Sequence, residues 1–167
     1  MPEDVTRIYC VDDGCPDGTG RYIEDKIEDQ RVRVLYHDHN RGVGATTKSG
    51  YRAALADGME IIVKLDGDGQ MDPAEIPHLL DPILSDAADY TKGNRFRDLK
   101  ALRQMPRVRL FGNSVLTFLV KAASGYWQMM DPTNGYTAIN RDALAQLDAL
   151  TLSGTFDYQT CDDRLCF

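Results

Sequence analysis

Three short apolar runs punctuate the first part of the chain: RIYCV at 7–11, VRVLY at 32–36 and IIVKL at 61–65. Each is bounded by polar or turn-forming residues and is rich in β-branched and aromatic side chains, the pattern of strands packed within a sheet. The segments between them carry apolar residues at helical spacing. GTGRYIEDKIEDQ places Ile23 and Ile27 one turn apart among charges. GVGATTKSGYRAALADG lines up Val43, Thr47, Tyr51, Ala54 and Leu55 and stops at Gly58, a residue suited to the position just past a helix end. Strands alternating with helices of this length predict right-handed βαβ crossovers in a parallel sheet.

Farther along, Asp72, Pro73 and Glu75 form a helix start, with an N-cap, a proline at N1 and an acid at N3. Pro77 and Pro82 then predict two short helices or a kink, because an interior proline removes a donor and clashes with the preceding turn. ADYTKGNR is a fourth strand, GYTAIN a short final strand and RDALAQLDAL a short helix. PRVRLFGNSVLTFLVKAASG is the most apolar helix, with Val108, Phe111, Val115, Phe118 or Leu119, and Ala122 predicted on one face and that face in the core. Periodicity is lost from TLSGTFDYQTCDDRLCF onward, and the chain contains no internal repeat or low-complexity stretch.

Composition narrows the class. A chain of 167 residues with 43% apolar content supports one domain around one core. A net charge of -7 argues against a nucleic-acid partner, which is bound by clustered Lys and Arg, so any phosphate chemistry is local and uses a few basic residues or a metal. Cys10, Cys15, Cys161 and Cys166 form two C-x4-C pairs, not the C-x2-C spacing of a zinc ribbon, and read as free thiols. The start MPEDVTRIYC does not read as a signal peptide, and LFGNSVLTFLVKAA is too short and too interrupted to span a bilayer. A cytoplasmic location is the expectation.

In an open parallel sheet, ligands bind outside the carboxyl ends of the strands. VDDG ends the first strand and LDGDGQ the third, which places Asp12, Asp13, Asp66 and Asp68 along one edge. Carboxylates gathered at one rim repel one another unless a cation or a hydrogen-bonding ligand relieves them. Asp66, Asp68 and Gln70 offer hard oxygen ligands at alternating positions, which suits Mg²⁺ or Mn²⁺ with coordination positions left for water and phosphate. The bland alternative is a simple turn, since Asp-Gly is a strong turn former. An EF-hand fails because its sixth and twelfth positions are Met71 and Pro77. RGVGATTKSG is neither a P-loop, because Lys48 follows Thr47, nor a dinucleotide fingerprint, because Thr47 stands at the third glycine; Gly42 and Gly44 serve a helix start and close packing.

VDDGCPDGTG, NRGVGATTKSGYRAALADG, IIVKLDGDGQMDP, TKGNRF and DPTNGYTAI, taken together, resemble in order and spacing the family 2 glycosyltransferases of GT-A fold. The resemblance spans roughly residues 5–145 and points to the branch of polyprenyl-phosphate sugar transferases that includes dolichol-phosphate mannose synthase. It implies an α/β, Rossmann-like three-layer sandwich with a mostly parallel sheet. It further implies that Asp12, Asp13 and Asp17 contact the base and ribose of a nucleoside-diphosphate sugar. Asp66 and Asp68 match the Asp-x-Asp motif, Asp66 serving donor and metal, Asp68 metal and catalysis, and Gln70 its metal-binding neighbour. Arg95 matches the arginine that reaches donor or acceptor phosphate in catalysis, and Arg107 or Arg109 a second. Asp131, Thr133 and Asn134 of DPTNG match the segment beside the acceptor pocket. From residue types alone, the alternatives are solvated charges for the arginines and a turn for Asp131 with Pro132.

Two departures from the family pattern stand out. The chain begins at what corresponds to the second family strand, so the first, central one is missing, and an expected partial GT-A domain at 1–150 is followed by a divergent tail at 151–167. The tail's Asp162 and Asp163 do not match the setting of the family's catalytic base. A lipid phosphate, already ionised, needs no strong base, whereas a sugar hydroxyl does. The implied activity is metal-dependent transfer of a hexose to a polyprenyl phosphate or glycan by direct displacement at the anomeric carbon. A lipid acceptor adds peripheral contact with the inner face of a membrane through the apolar helix. The competing classes are a phosphoacceptor receiver-like domain and a catalytically inactive binding module.

Overall fold

The computed structural model describes residues 1–93, 112, 115, 117–119, 121–123, 125 and 134–149. The described residues divide into two compact units, one built from Met1–Ile62 with Arg141 and the described residues after it, the other from those within Val63–Asn140.

In the first unit, β1 (Ile8–Asp12) and β2 (Val32–Tyr36) pair in parallel, in register from Ile8 opposite Val32 to Asp12 opposite Tyr36. The crossover between them is α1 (Thr19–Lys26), so the expected βαβ unit is present. The N–H of Ile8 donates to the Arg31 carbonyl and that of His37 to the Asp12 carbonyl, which extends the pairing past both strand ends. Gly20 of α1 is buried because a Cβ there would lie 2.5 Å from the Tyr36 ring and 2.7 Å from the Asp12 carboxylate. Only a bare backbone lets the helix settle on the strand ends. Next comes α2 (Val43–Ala56), which buries Tyr51 and Ala54 and ends as expected: Gly58 donates to the Leu55 carbonyl and Met59 to that of Ala54. The last described helix, α4 (Arg141–Ala149), buries Leu144 and Leu147 and packs on α2.

A three-stranded sheet follows in the order β3-β5-β4, where β3 is Ile61–Lys64, whose last two residues open the second unit, β4 is Tyr90–Lys92 and β5 Thr137–Asn140. β4 and β5 run antiparallel, with Thr91 opposite Ala138. A 3-10 turn at Pro73–Glu75, capped by the Asp72 side chain, leads into α3 (Ile76–Leu84), which keeps Pro82 inside it. The expected division into two short helices at Pro77 and Pro82 is not observed: Pro77 stands in the first turn, where its missing donor costs nothing, and Pro82 lies within one continuous helix. Ile76, Leu79 and Ile83 form the buried stripe of α3, which packs on β4 and β5, where Tyr90, Ala138 and Ile139 are buried. The Thr91 hydroxyl donates to the Leu79 carbonyl at 2.7 Å and ties strand to helix.

The α/β class and the parallel β1–β2 pairing agree with the Rossmann-like expectation. One expectation is corrected. Described positions from 112 to 123 are helical, but Val115, Phe118 and Leu119 are exposed at 42%, 60% and 56%, and the buried residue is Thr117. The face turned inward runs through Thr117, offset from the apolar residues that the sequence pattern placed there. No described helix is long and apolar enough to cross a membrane.

Candidate functional site

At the carboxyl end of β1, two adjacent carboxylates organise two loops. Asp12 accepts hydrogen bonds from the amides of Cys15 and Gly20, each at 2.7 Å, and folds the CPDGTG loop onto the start of α1. These amides, Cys15 first, hold its carboxyl below the ordinary range. Asp13 accepts from His37 Nδ1 at 2.6 Å and the Arg41 amide at 3.0 Å through Oδ1, and from the Gly42 amide at 2.8 Å through Oδ2. Led by the His37 contact, this environment lowers its pKa to about 2. Nε2 of His37, whose side chain is 6% exposed, shares a hydrogen bond with the Ser49 hydroxyl at 2.8 Å.

The chain Asp13–His37–Ser49 has the order of a nucleophile relay, but Ser49 lies inside α2, where the backbone amides are engaged in the helix and are not turned towards its hydroxyl as oxyanion donors. It is an anchor that joins β1, the loop after β2 and α2. The repulsion expected between carboxylates is therefore relieved, for Asp12 and Asp13, by backbone amides and an imidazole. Asp17 stands exposed on the loop that Asp12 closes.

Asp13 carries a pH signature. Its folded pKa of about 2 lies below the ordinary carboxylate value, so the folded chain binds fewer protons than the unfolded one between the two values. The resulting stability is complete above about pH 4 and is lost as pH falls towards about 2. Asp13→Asn is expected to be less stable than the native chain at neutral pH, with the difference closing across that window. Urea unfolding at a series of pH values reads it; a difference that stays constant through the window would contradict the assignment.

In the second unit, the segment after β3 carries the acidic pair. Asp66 Oδ1 pairs with Lys64 Nζ at 2.5 Å, and its amide reaches the Met71 sulfur at 3.3 Å. Asp68 Oδ1 accepts the Gln70 amide at 3.0 Å, so a turn and an acidic pair coexist here. Asp68 and Gln70 are exposed. Gly135 completes the arrangement, since a Cβ there would sit 2.6 Å from both Asp66 Oδ2 and Lys64 Nζ. Asn134 is buried; its Nδ2 donates to the Gly93 carbonyl at 2.7 Å and its Oδ1 accepts the Tyr136 amide, which clamps the end of β4 to the approach of β5. The Tyr136 hydroxyl donates to the Asp72 carbonyl at 2.9 Å, and burial pushes its pKa up to about 12.

Asp66, Asp68 and Gln70 thus share one short loop, while Asp12, Asp13 and Asp17 belong to the other unit. Among the described residues no three His, Cys, Asp or Glu side chains form a ready-made metal cage. The donor set nonetheless fits a magnesium-type ion, which takes one or two carboxylates and completes its shell with water and phosphate. Arg95, Arg107, Arg109, Asp131 and Thr133 lie outside the described residues. Sequence reasoning missed Lys64, although a charged residue inside the apolar run IIVKL was the signal that something at the strand end holds it.

A family model described as glycosyl transferase family 2 matches residues 2–148. Among curated relatives, a UDP-N-acetylglucosamine-dolichyl-phosphate N-acetylglucosaminyltransferase of Methanococcus voltae is 30% identical over 95% of this chain and 67% of its own length. A polyprenol monophosphomannose synthase of Mycolicibacterium smegmatis is 32% identical over 85% of this chain and 54% of its own length. An undecaprenyl-phosphate mannosyltransferase of Micrococcus luteus is 30% identical over 89% of this chain and 59% of its own length. The chain thus spans between about half and two thirds of these relatives.

Proposed function

Because the chain belongs to glycosyl transferase family 2, we propose that it transfers a hexose from a nucleoside-diphosphate sugar to a polyprenyl phosphate. The observation that carries this reading is the loop after β3, which sets Asp66 and Asp68 on a turn at a strand's carboxyl end within the family match. The names of the relatives, each a transferase acting with a polyprenyl-type phosphate, favour that acceptor over a glycan.

In this reading Asp66, Asp68 and Gln70 hold a divalent ion, Mg²⁺ or Mn²⁺. A divalent ion held there would supply Lewis-acid neutralisation of the charge on a nucleoside-diphosphate leaving group. Asp12 and Asp13 shape the nucleotide-binding loops by gripping their amides, and Asp17 is the exposed carboxylate that faces the base and ribose. Asn134 fixes the strand ends beside the acceptor pocket, which Asp131 and Thr133 line. Arg95, with Arg107 or Arg109, receives phosphate oxygens in bidentate fashion. A lipid phosphate attacks as an anion, so no residue is needed as a strong base. The exposed Val115, Phe118 and Leu119 suit an acceptor that is presented at a membrane surface.

Calorimetric titration of GDP and UDP, with and without Mn²⁺, on the native chain and on Asp68→Ala tests the reading. One of the two nucleotides is expected to bind in a metal-dependent way, and the variant to lose that binding. Equal, metal-independent binding by both proteins would remove the basis of the site.

A further inference from the structure

Lys64 is the last residue of β3, and its ammonium lies 2.5 Å from Asp66 Oδ1. The Lys64 side chain is 17% exposed and the Asp66 side chain 40%, so the lysine is the inner partner and the carboxylate faces outward. Both abut the backbone of Gly135, where a Cβ would meet Lys64 Nζ and Asp66 Oδ2 alike at 2.6 Å. The pair is therefore seated against β5's approach rather than loose on the surface. Asp68, two residues on, uses Oδ1 to hold the Gln70 amide, so its carboxylate is set by the turn and not by a cation.

A lysine at this place is not explained by strand formation or by packing. A charge is costly to bury without a partner, and the neighbouring positions of β3 are apolar. Its one described partner is the first carboxylate of the acidic pair. A cation already on Asp66 competes with any second cation for the same oxygens, and the flexible four-carbon stem lets the ammonium leave Oδ1 while its Cα stays fixed in the strand.

We infer that Lys64 is an exchangeable counter-ion: it neutralises Asp66 when the donor site is empty and moves to the donor's diphosphate oxygens when Asp66 turns to the divalent ion. The inference rests on the proposed donor site and adds to it an order of events. Metal alone must displace an internal cation, whereas metal arriving with a diphosphate offers the displaced ammonium a new anion. Lys64 thereby makes uptake of the ion and of the nucleotide mutually dependent, a coupling between two ligands. It acts as a specificity-determining residue for the metal-nucleotide pair over the bare ion.

The test measures two affinities on Lys64→Met, with Lys64→Gln as a second neutral variant should the first fail to fold. Free Mn²⁺, followed by its electron paramagnetic resonance signal, gives the affinity for metal alone; calorimetry gives that for GDP or UDP at saturating Mn²⁺. Removing the charge is expected to tighten Mn²⁺ alone about five-fold and to weaken the nucleotide about five-fold, the scale of a partly exposed ion pair. Loss of a merely structural contact would not move the two in opposite directions. Unchanged Mn²⁺ affinity, or weakening of both, overturns the counter-ion role. A native chain that takes up no nucleoside diphosphate in Mn²⁺ overturns the proposed donor site instead, and the comparison with metal alone still decides whether Lys64 competes for Asp66.

Discussion

Gly14→Ala is expected to lower the unfolding free energy by about 3 kcal/mol, a large effect for one methyl group, because two independent costs add. Gly14 has φ +70°, where an L-residue pays about 1–2 kcal/mol for the left-handed backbone. A Cβ there would also sit 2.8 Å from the carbonyl carbon and 2.9 Å from the Cα of His39. Those are backbone atoms, which cannot rotate aside, and the loop that contains them is held by Asp13 through the amides of Arg41 and Gly42. Movement of that loop would strain both hydrogen bonds. Gly18→Ala is the control, since Gly18 has φ +68° but open space around its Cβ position. Denaturant unfolding should show a loss of about 1 kcal/mol for Gly18→Ala and at least twice that for Gly14→Ala. Equal losses would mean that the approach of the two loops contributes nothing.

The elements that the sequence made readable are those built from local signals. VRVLY became β2 over the same residues, and Gly58, which ends ALADG, stopped α2 where the periodicity ended. Asp72-Pro73 gave the capped 3-10 start because capping and proline geometry act within a few residues. Pairing between distant segments was less readable. Nothing in YTK or TAIN says that β4 and β5 run antiparallel, since that choice depends on where the intervening chain returns. The apolar helix was mis-oriented for a related reason: apolar count does not decide which face meets protein, and Thr117 holds the buried place.

The site divides along the same line. The acidic dipeptide and the acidic pair were legible as carboxylates at strand ends, because the apolar runs that precede them mark the strands. What each carboxylate does there was not legible, because it depends on atoms brought from elsewhere in the chain. Asp13 is bonded to residues 24 to 29 positions away, so the sequence could not show that His37, Arg41 and Gly42 already occupy its oxygens. Asp66 differs in kind. Its partner is a flexible ammonium two residues back, which a second cation can replace without breaking backbone structure.

That difference predicts where a charge-removing substitution acts on chemistry. Asp66→Asn keeps the shape of the side chain and removes one negative charge from the loop after β3. On the proposed function, hexose transfer to a short-chain polyprenyl phosphate is expected to fall about 10³-fold, the scale lost when a group that supports transition-state charge is removed. The physical reason is that an amide oxygen would hold a divalent ion less well than a carboxylate, and so would offer less neutralisation to a departing diphosphate. The fold should survive, because no backbone amide depends on the Asp66 carboxylate among the described hydrogen bonds, and Lys64 can extend to water. Initial rates with a labelled donor, alongside thermal unfolding of both proteins, separate the two effects. A folded variant that retains a tenth or more of the native rate would show that the Asp66 charge is not where the departing phosphate is stabilised.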